Sequence, residues 1–178
     1  MQDESLRDRL NRLLSLDLIS SSRINYELVA DFFMIFARAE FALKRAGFAK
    51  AGKKGRIFVK WHRFAKSLGD KVTNPRNPRI LEAVRYLQEK APEREVIKND
   101  KLDWDKLEFT NRDDPVFVIS SLTTVRNNLF HGGKEFVGVM AERDRVLLEH
   151  SSLVLVYLLT LDKAVKDAFG ELSPEGAM

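Results

Sequence analysis

The clearest pattern in the chain is helical. In residues 4–16, "ESLRDRLNRLLSL", Leu6, Leu10, Leu13 and Leu14 recur at helical spacing. The serines at 20–22 suit a helix start, and a long helix is predicted from Arg23 to about Ala46. Ile24, Leu28, Phe32, Ile35, Ala39 and Leu43 form its main stripe. Val29, Phe33, Met34, Phe36 and Phe41 make it apolar nearly all round. Such a helix is expected to be buried on several sides, inside a bundle or in a subunit contact. Gly47 fits its end.

Further on, Ile57, Val59, Trp61, Phe64 and Leu68 predict a helix over 56–68, and "RILEAVRYLQEK" predicts another over 79–90. "TNPRNPR" between them is a turn. Residues 91–114 are acidic and broken, and read as an irregular excursion with one short helix. "DDP" at 113–115 starts the next helix, with proline in the first turn, and Gly132 stops it. "KEFVGVM" reads as extended, and a last helix runs from about Glu142 to Phe169. Strict alternation is scarce. The fold class expected is all-α: an up-and-down bundle of four to five long helices forming one domain over residues 1–178.

Composition narrows the classes. The mix, 44% hydrophobic and 31% charged, is that of a folded domain. The chain has no cysteine, which excludes disulfides, thiolate metal sites and cysteine nucleophiles. The three histidines are not closely spaced, so no zinc site is expected. No phosphate-binding glycine loop of the Walker type and no dinucleotide fingerprint is present. The start, "MQDESLRDRL", carries no apolar signal segment, and the longest apolar run, "LVLVYLLTL", is well short of the roughly 20 residues that span a bilayer. A soluble cytoplasmic protein is expected.

Charge is unevenly spread. Residues 44–71 hold ten Lys or Arg against one acid, Asp70, whereas the remainder of the chain is net acidic. This is either a solvated face with a loop, "AKAGKKGR", or an attraction site for a phosphate-bearing partner. Trp61 and Phe64 beside those lysines suggest a stacking platform or simply helical core.

The candidate chemistry lies in "VRNNLFHGG", residues 125–133. Asn127 and His131 are four apart and share a helix face, with Arg126 about 100° round from Asn127. Val118, Leu122, Val125 and Leu129 can meanwhile face the core. In the last turn before Gly132, unpaired carbonyls favour a protonated His131, suiting it to acid–base work near neutrality. Arg126 matches phosphate in a bidentate fork. An RNA 2′-hydroxyl can attack its own phosphate without a metal, given a base, an acid and a cation. One chain offers one suitable histidine here, and two chains about a two-fold axis would offer a pair.

"RNNLFH" resembles the Arg-(four to six residues)-His motif of the HEPN superfamily, and "FFMIFARAEFALKRAGF" at 32–48 resembles the early helix of those proteins. The resemblance implies a helical bundle, a homodimer with a composite site, and metal-independent endoribonuclease activity on RNA. It further implies a toxin–antitoxin or anti-phage setting, in which an antitoxin protein can be a partner, and no cofactor. It assigns Arg126 and His131 to catalysis and Asn127 to orientation of the substrate, with Glu40 as the supporting acid. Lys53, Lys54, Arg56 and Lys134 are the expected backbone-binding cations. A toxin subgroup carries a modified tyrosine two residues after the histidine. Gly133 stands there, so regulation by that modification is not expected. The alternative class is a non-catalytic dimeric helical module that binds RNA, a nucleotide or a protein.

Overall fold

The computed structural model describes residues 26–109, 111–130 and 142–170. Six α-helices and two β-hairpins lie among them: α1 (Tyr26–Arg45), β1 (Ala49–Ala51), β2 (Ile57–Val59), α2 (Trp61–Leu68), α3 (Pro78–Glu89), β3 (Arg94–Lys98), β4 (Lys101–Asp105), α4 (Pro115–Phe130), α5 (Glu142–Thr160) and α6 (Lys163–Gly170). The chain is thus mainly helical, but it is not a plain run of helices, because two short antiparallel ribbons interrupt it. The segments 4–16 and 134–140 lie outside the described residues.

Local chemistry sets the helix ends. Glu27 sits in the first turn of α1 and Lys44 and Arg45 in its last, matching the helix dipole. Gly47, at φ +84°, closes it, with the Phe48 amide donating to the Leu43 carbonyl (2.8 Å). Asn77 caps α3 by accepting from the amides of Arg79 (3.0 Å) and Ile80 (3.4 Å), and Pro78 fills the first helical position. Asp114 caps α4 through the Val116 amide (2.8 Å).

The last predicted helix is two. It breaks after Thr160, and Asp162 caps α6 by accepting from the Val165 amide (3.0 Å). The predicted helix over 56–68 also divides: Ile57–Val59 form a strand and the helix begins at Trp61. In place of the irregular excursion stands the β3–β4 hairpin, with Arg94 opposite Asp105 and Lys98 opposite Lys101.

Helix α5 lies at the centre, against α1, α3, α4 and α6, while α2 packs on α4. One core joins them, built on Phe32, Phe36, Leu43, Phe64, Leu87, Ile119, Leu122 and Leu155. The α1 helix is not covered all round: Met34 is 71% and Phe41 39% exposed. Seven residues apart, they lie on one side of the helix. No helix among the described residues is long and apolar enough to cross a membrane.

Candidate active site

Arg126 projects from the last turns of α4 onto α1. Val118, Leu122 and Val125 are buried and fix the rotation of α4, which leaves Arg126 half-buried and Asn127 exposed. The Arg126 Nη2 donates to Glu40 Oε1 at 2.8 Å, and its guanidinium lies over the Phe36 ring, 5.1 Å from the centroid. The cation is therefore held from two sides: an anion in its plane and an aromatic face beneath it. Phe36 is itself buried between Phe32 (5.7 Å) and Trp61 (5.0 Å), so the platform is rigid. Glu40 also faces Lys44 at 3.7 Å, one helical turn on.

This pairing does not consume Arg126. One bond to Glu40 uses one of the five N–H donors of a guanidinium, and 29% of the arginine side chain and 26% of the glutamate remain exposed. The arrangement can present a pre-oriented cation to an anion arriving from solvent.

Of the other sequence-derived candidates, Lys53, Lys54 and Arg56 are all exposed at the tip of the β1–β2 hairpin. They are connected to Arg126 through packing: β2 leads into Trp61, Trp61 lies on Phe36, and Phe36 carries Arg126. His131 directly follows the last residue of α4 in the sequence; it and Lys134 lie outside the described residues. His62 is exposed, with Nε2 3.5 Å from Ser120 Oγ on α4. His150 packs against Tyr86 with the rings tilted and their centroids 4.7 Å apart, between α5 and α3.

Three residues escaped the sequence reading. Phe36 was one apolar residue among many in α1, and nothing in the spacing marked it as the seat of Arg126. Asn128 donates from Nδ2 to the Glu93 carbonyl (2.7 Å), tying α4 to the lead into β3. The exposed aromatic of the basic segment is Phe58, whereas Trp61 and Phe64, the residues considered for stacking, are buried. A Pro-free, glycine-flanked "GKKGR" between "AKA" and "IFV" was the signal for that hairpin.

No family model matches the chain, and neither a curated protein nor a solved structure matches it.

Proposed function

We propose that this chain is a metal-independent endoribonuclease of the HEPN type, working as a homodimer with a composite site in a toxin–antitoxin or anti-phage system. The observation that carries the reading is the seating of Arg126 by Glu40 and Phe36 in the helix that bears the Arg-x4-His motif. The helical plan supports a bundle of that kind, and the apolar Met34 and Phe41 on α1 offer a face to a second copy.

In this reading the RNA 2′-oxygen attacks the adjacent phosphorus, the bond to the 5′-oxygen breaks, and a 2′,3′-cyclic phosphate remains. One His131 takes the proton of the 2′-hydroxyl, and the His131 of the second copy gives a proton to the leaving 5′-oxygen. Arg126 neutralises the charge on the pentavalent phosphorus, and Asn127 donates to a non-bridging oxygen.

The test is incubation of the purified protein with end-labelled RNA in EDTA. Products with cyclic-phosphate ends are expected, with a loss of about 100-fold or more for Arg126→Ala or His131→Ala while helix content is retained in circular dichroism. Equal cleavage by wild type and either variant would falsify the assignment. The cations on the hairpin favour a second reading, a binding module without catalysis; salt-sensitive RNA binding with no cleavage by the wild type identifies it.

A further inference from the structure

The β1–β2 hairpin carries an exposed aromatic ring on a cationic face. Its register places Lys50 opposite Phe58 and Ala51 opposite Ile57. Side chains alternate along a strand, so the face that holds Phe58 also holds Lys50, Gly52 and Arg56. The backbone at Gly52 (φ −110°, ψ −167°) and at Arg56 (φ −61°, ψ 139°) is extended, and the Gly52 amide donates to the Arg56 carbonyl (2.7 Å), so the alternation reaches the tip. The Phe58 ring lies against Gly52: a Cβ on that glycine would meet ring atom Cε2 at 2.2 Å. The residue is 48% exposed, so the ring meets solvent away from Gly52.

The tip itself spends stability on charge. Lys54 sits in the left-handed region (φ 56°, ψ 34°), where glycine or asparagine is the comfortable choice. The hairpin is anchored at its base, where Phe48 packs edge-on against Phe64 (5.2 Å) and the Lys60 amide donates to the Phe48 carbonyl (2.7 Å). It is therefore a supported ribbon with a fixed aromatic platform and cations to either side.

We infer that this hairpin is a grip for a single-stranded segment of nucleic acid, one unpaired base stacking on the open side of Phe58 while Lys50 and Arg56 hold the flanking phosphates. Aromatic faces between cations suit single strands because every base offers a π-face and every nucleotide a phosphate. A duplex hides its base faces in its own stack. A membrane surface fits poorly, because the two exposed apolar residues, Ile57 and Phe58, lie on opposite faces of the ribbon and cannot enter one interface together. The choice of RNA over DNA rests on the proposed function; the grip itself rests on the hairpin. Gly52 is a positioning residue in this scheme: it seats the ring and touches no ligand.

The test uses a fluorescein-labelled single-stranded RNA and the full chain carrying His131→Ala, so that the probe persists. Phe58→Ala is expected to weaken binding by about 5- to 100-fold with the salt dependence unchanged, as loss of one stacked base requires. Lys50→Ala and Arg56→Ala are each expected to lower the slope of log K against log salt by about 0.7. Phe58→Trp retains affinity, which separates stacking from folding. Gly52→Ala weakens binding in the parent and adds nothing to Phe58→Ala. Unchanged affinity of Phe58→Ala overturns the grip, as does binding to phosphatidylserine vesicles without binding to RNA. Phe58-dependent binding by a wild type that cleaves nothing upholds the grip and removes the nuclease; cleavage at low RNA concentration undiminished by Phe58→Ala does the reverse.

Discussion

Glu40 and Arg126 are 86 residues apart in the chain and 2.8 Å apart in the fold, joined across the α1–α4 boundary with Phe36 beneath the guanidinium. The pair converts a flexible side chain with several rotatable bonds into a cation of fixed direction. Glu40→Ala leaves Arg126 half-buried without its anion and is expected to destabilise the chain by about 1–2 kcal/mol in urea melts. Cleavage should fall, with partial recovery in Glu40→Gln, which retains an acceptor for one bond. A rise in cleavage on losing Glu40 would reverse the assignment, since the carboxylate would then be competing with phosphate for Arg126.

The proposed homodimer through α1 makes a separate demand. Met34 and Phe41 present their side chains to solvent within one chain. Met34→Asp and Phe41→Asp together are expected to yield a monomer in sedimentation, with helix content retained in circular dichroism, and to abolish cleavage if both motifs are needed in one cleft. A double variant that remains dimeric moves the contact to another face.

Much of the helical frame was legible in the sequence. The stripe of α1 and the Asp114–Pro115 start of α4 are local signals that stand where the sequence put them, and the helix expected over 79–90 is present, with Asn77 and Pro78, read as part of the turn, forming its cap and first residue. The glycine-flanked "GKKGR" marked a turn, but the hairpin strands were not legible because they are only three and five residues long, too short for alternation to outweigh neighbouring helical spacing. The turn of the second, Asn99 and Asp100 at φ 51° and 58°, uses residues that tolerate the left-handed region without the usual glycine. The break after α5 lacks glycine and proline and depends on one Asp162 cap. The Arg126–Glu40 pair was within reach, since Glu40 stands out as an acid among apolar neighbours. The seat on Phe36 was not, because it depends on how α1 and α4 cross.

The centre of the fold holds an uncompensated polar atom. The Ser151 hydroxyl on α5 is fully buried and has no hydrogen-bond partner among the described residues. A hydroxyl stripped of water in this way costs free energy that a methyl group does not. Ser151→Ala is therefore expected to raise the unfolding free energy by about 1 kcal/mol, read from urea melts. A loss of stability would mean that the hydroxyl is in fact bonded.

The start of α5 should be sensitive to acid. Arg145 donates to Glu142 Oε1 (2.5 Å) and Oε2 (3.0 Å), and also bonds Glu149. The bond from Arg145, with its charge, holds the Glu142 carboxyl below the usual carboxylate range. A depressed folded pKa contributes stability above the unfolded value and loses it as pH falls through the folded one. Glu142→Gln is thus expected to lower the melting temperature slightly at neutral pH. The gap should close as the wild type is titrated below the ordinary carboxylate pKa of about 4.3. A gap independent of pH would assign the effect to packing or helix propensity.

Lys54 sets stability against charge at a single position. Its left-handed backbone disfavours a lysine, and glycine removes that penalty while adding freedom to the unfolded chain. The first effect exceeds the second in most turns, so Lys54→Gly is expected to stabilise the chain by about 0.5–1 kcal/mol. If Lys54 joins Lys50 and Arg56 on the proposed strand, the same change should lower the salt slope of RNA binding by about 0.7. Stabilisation together with the weaker slope identifies Lys54 as a residue kept for its charge. Stabilisation with an unchanged slope removes Lys54 from the contact set and leaves Lys50 and Arg56 to hold the strand.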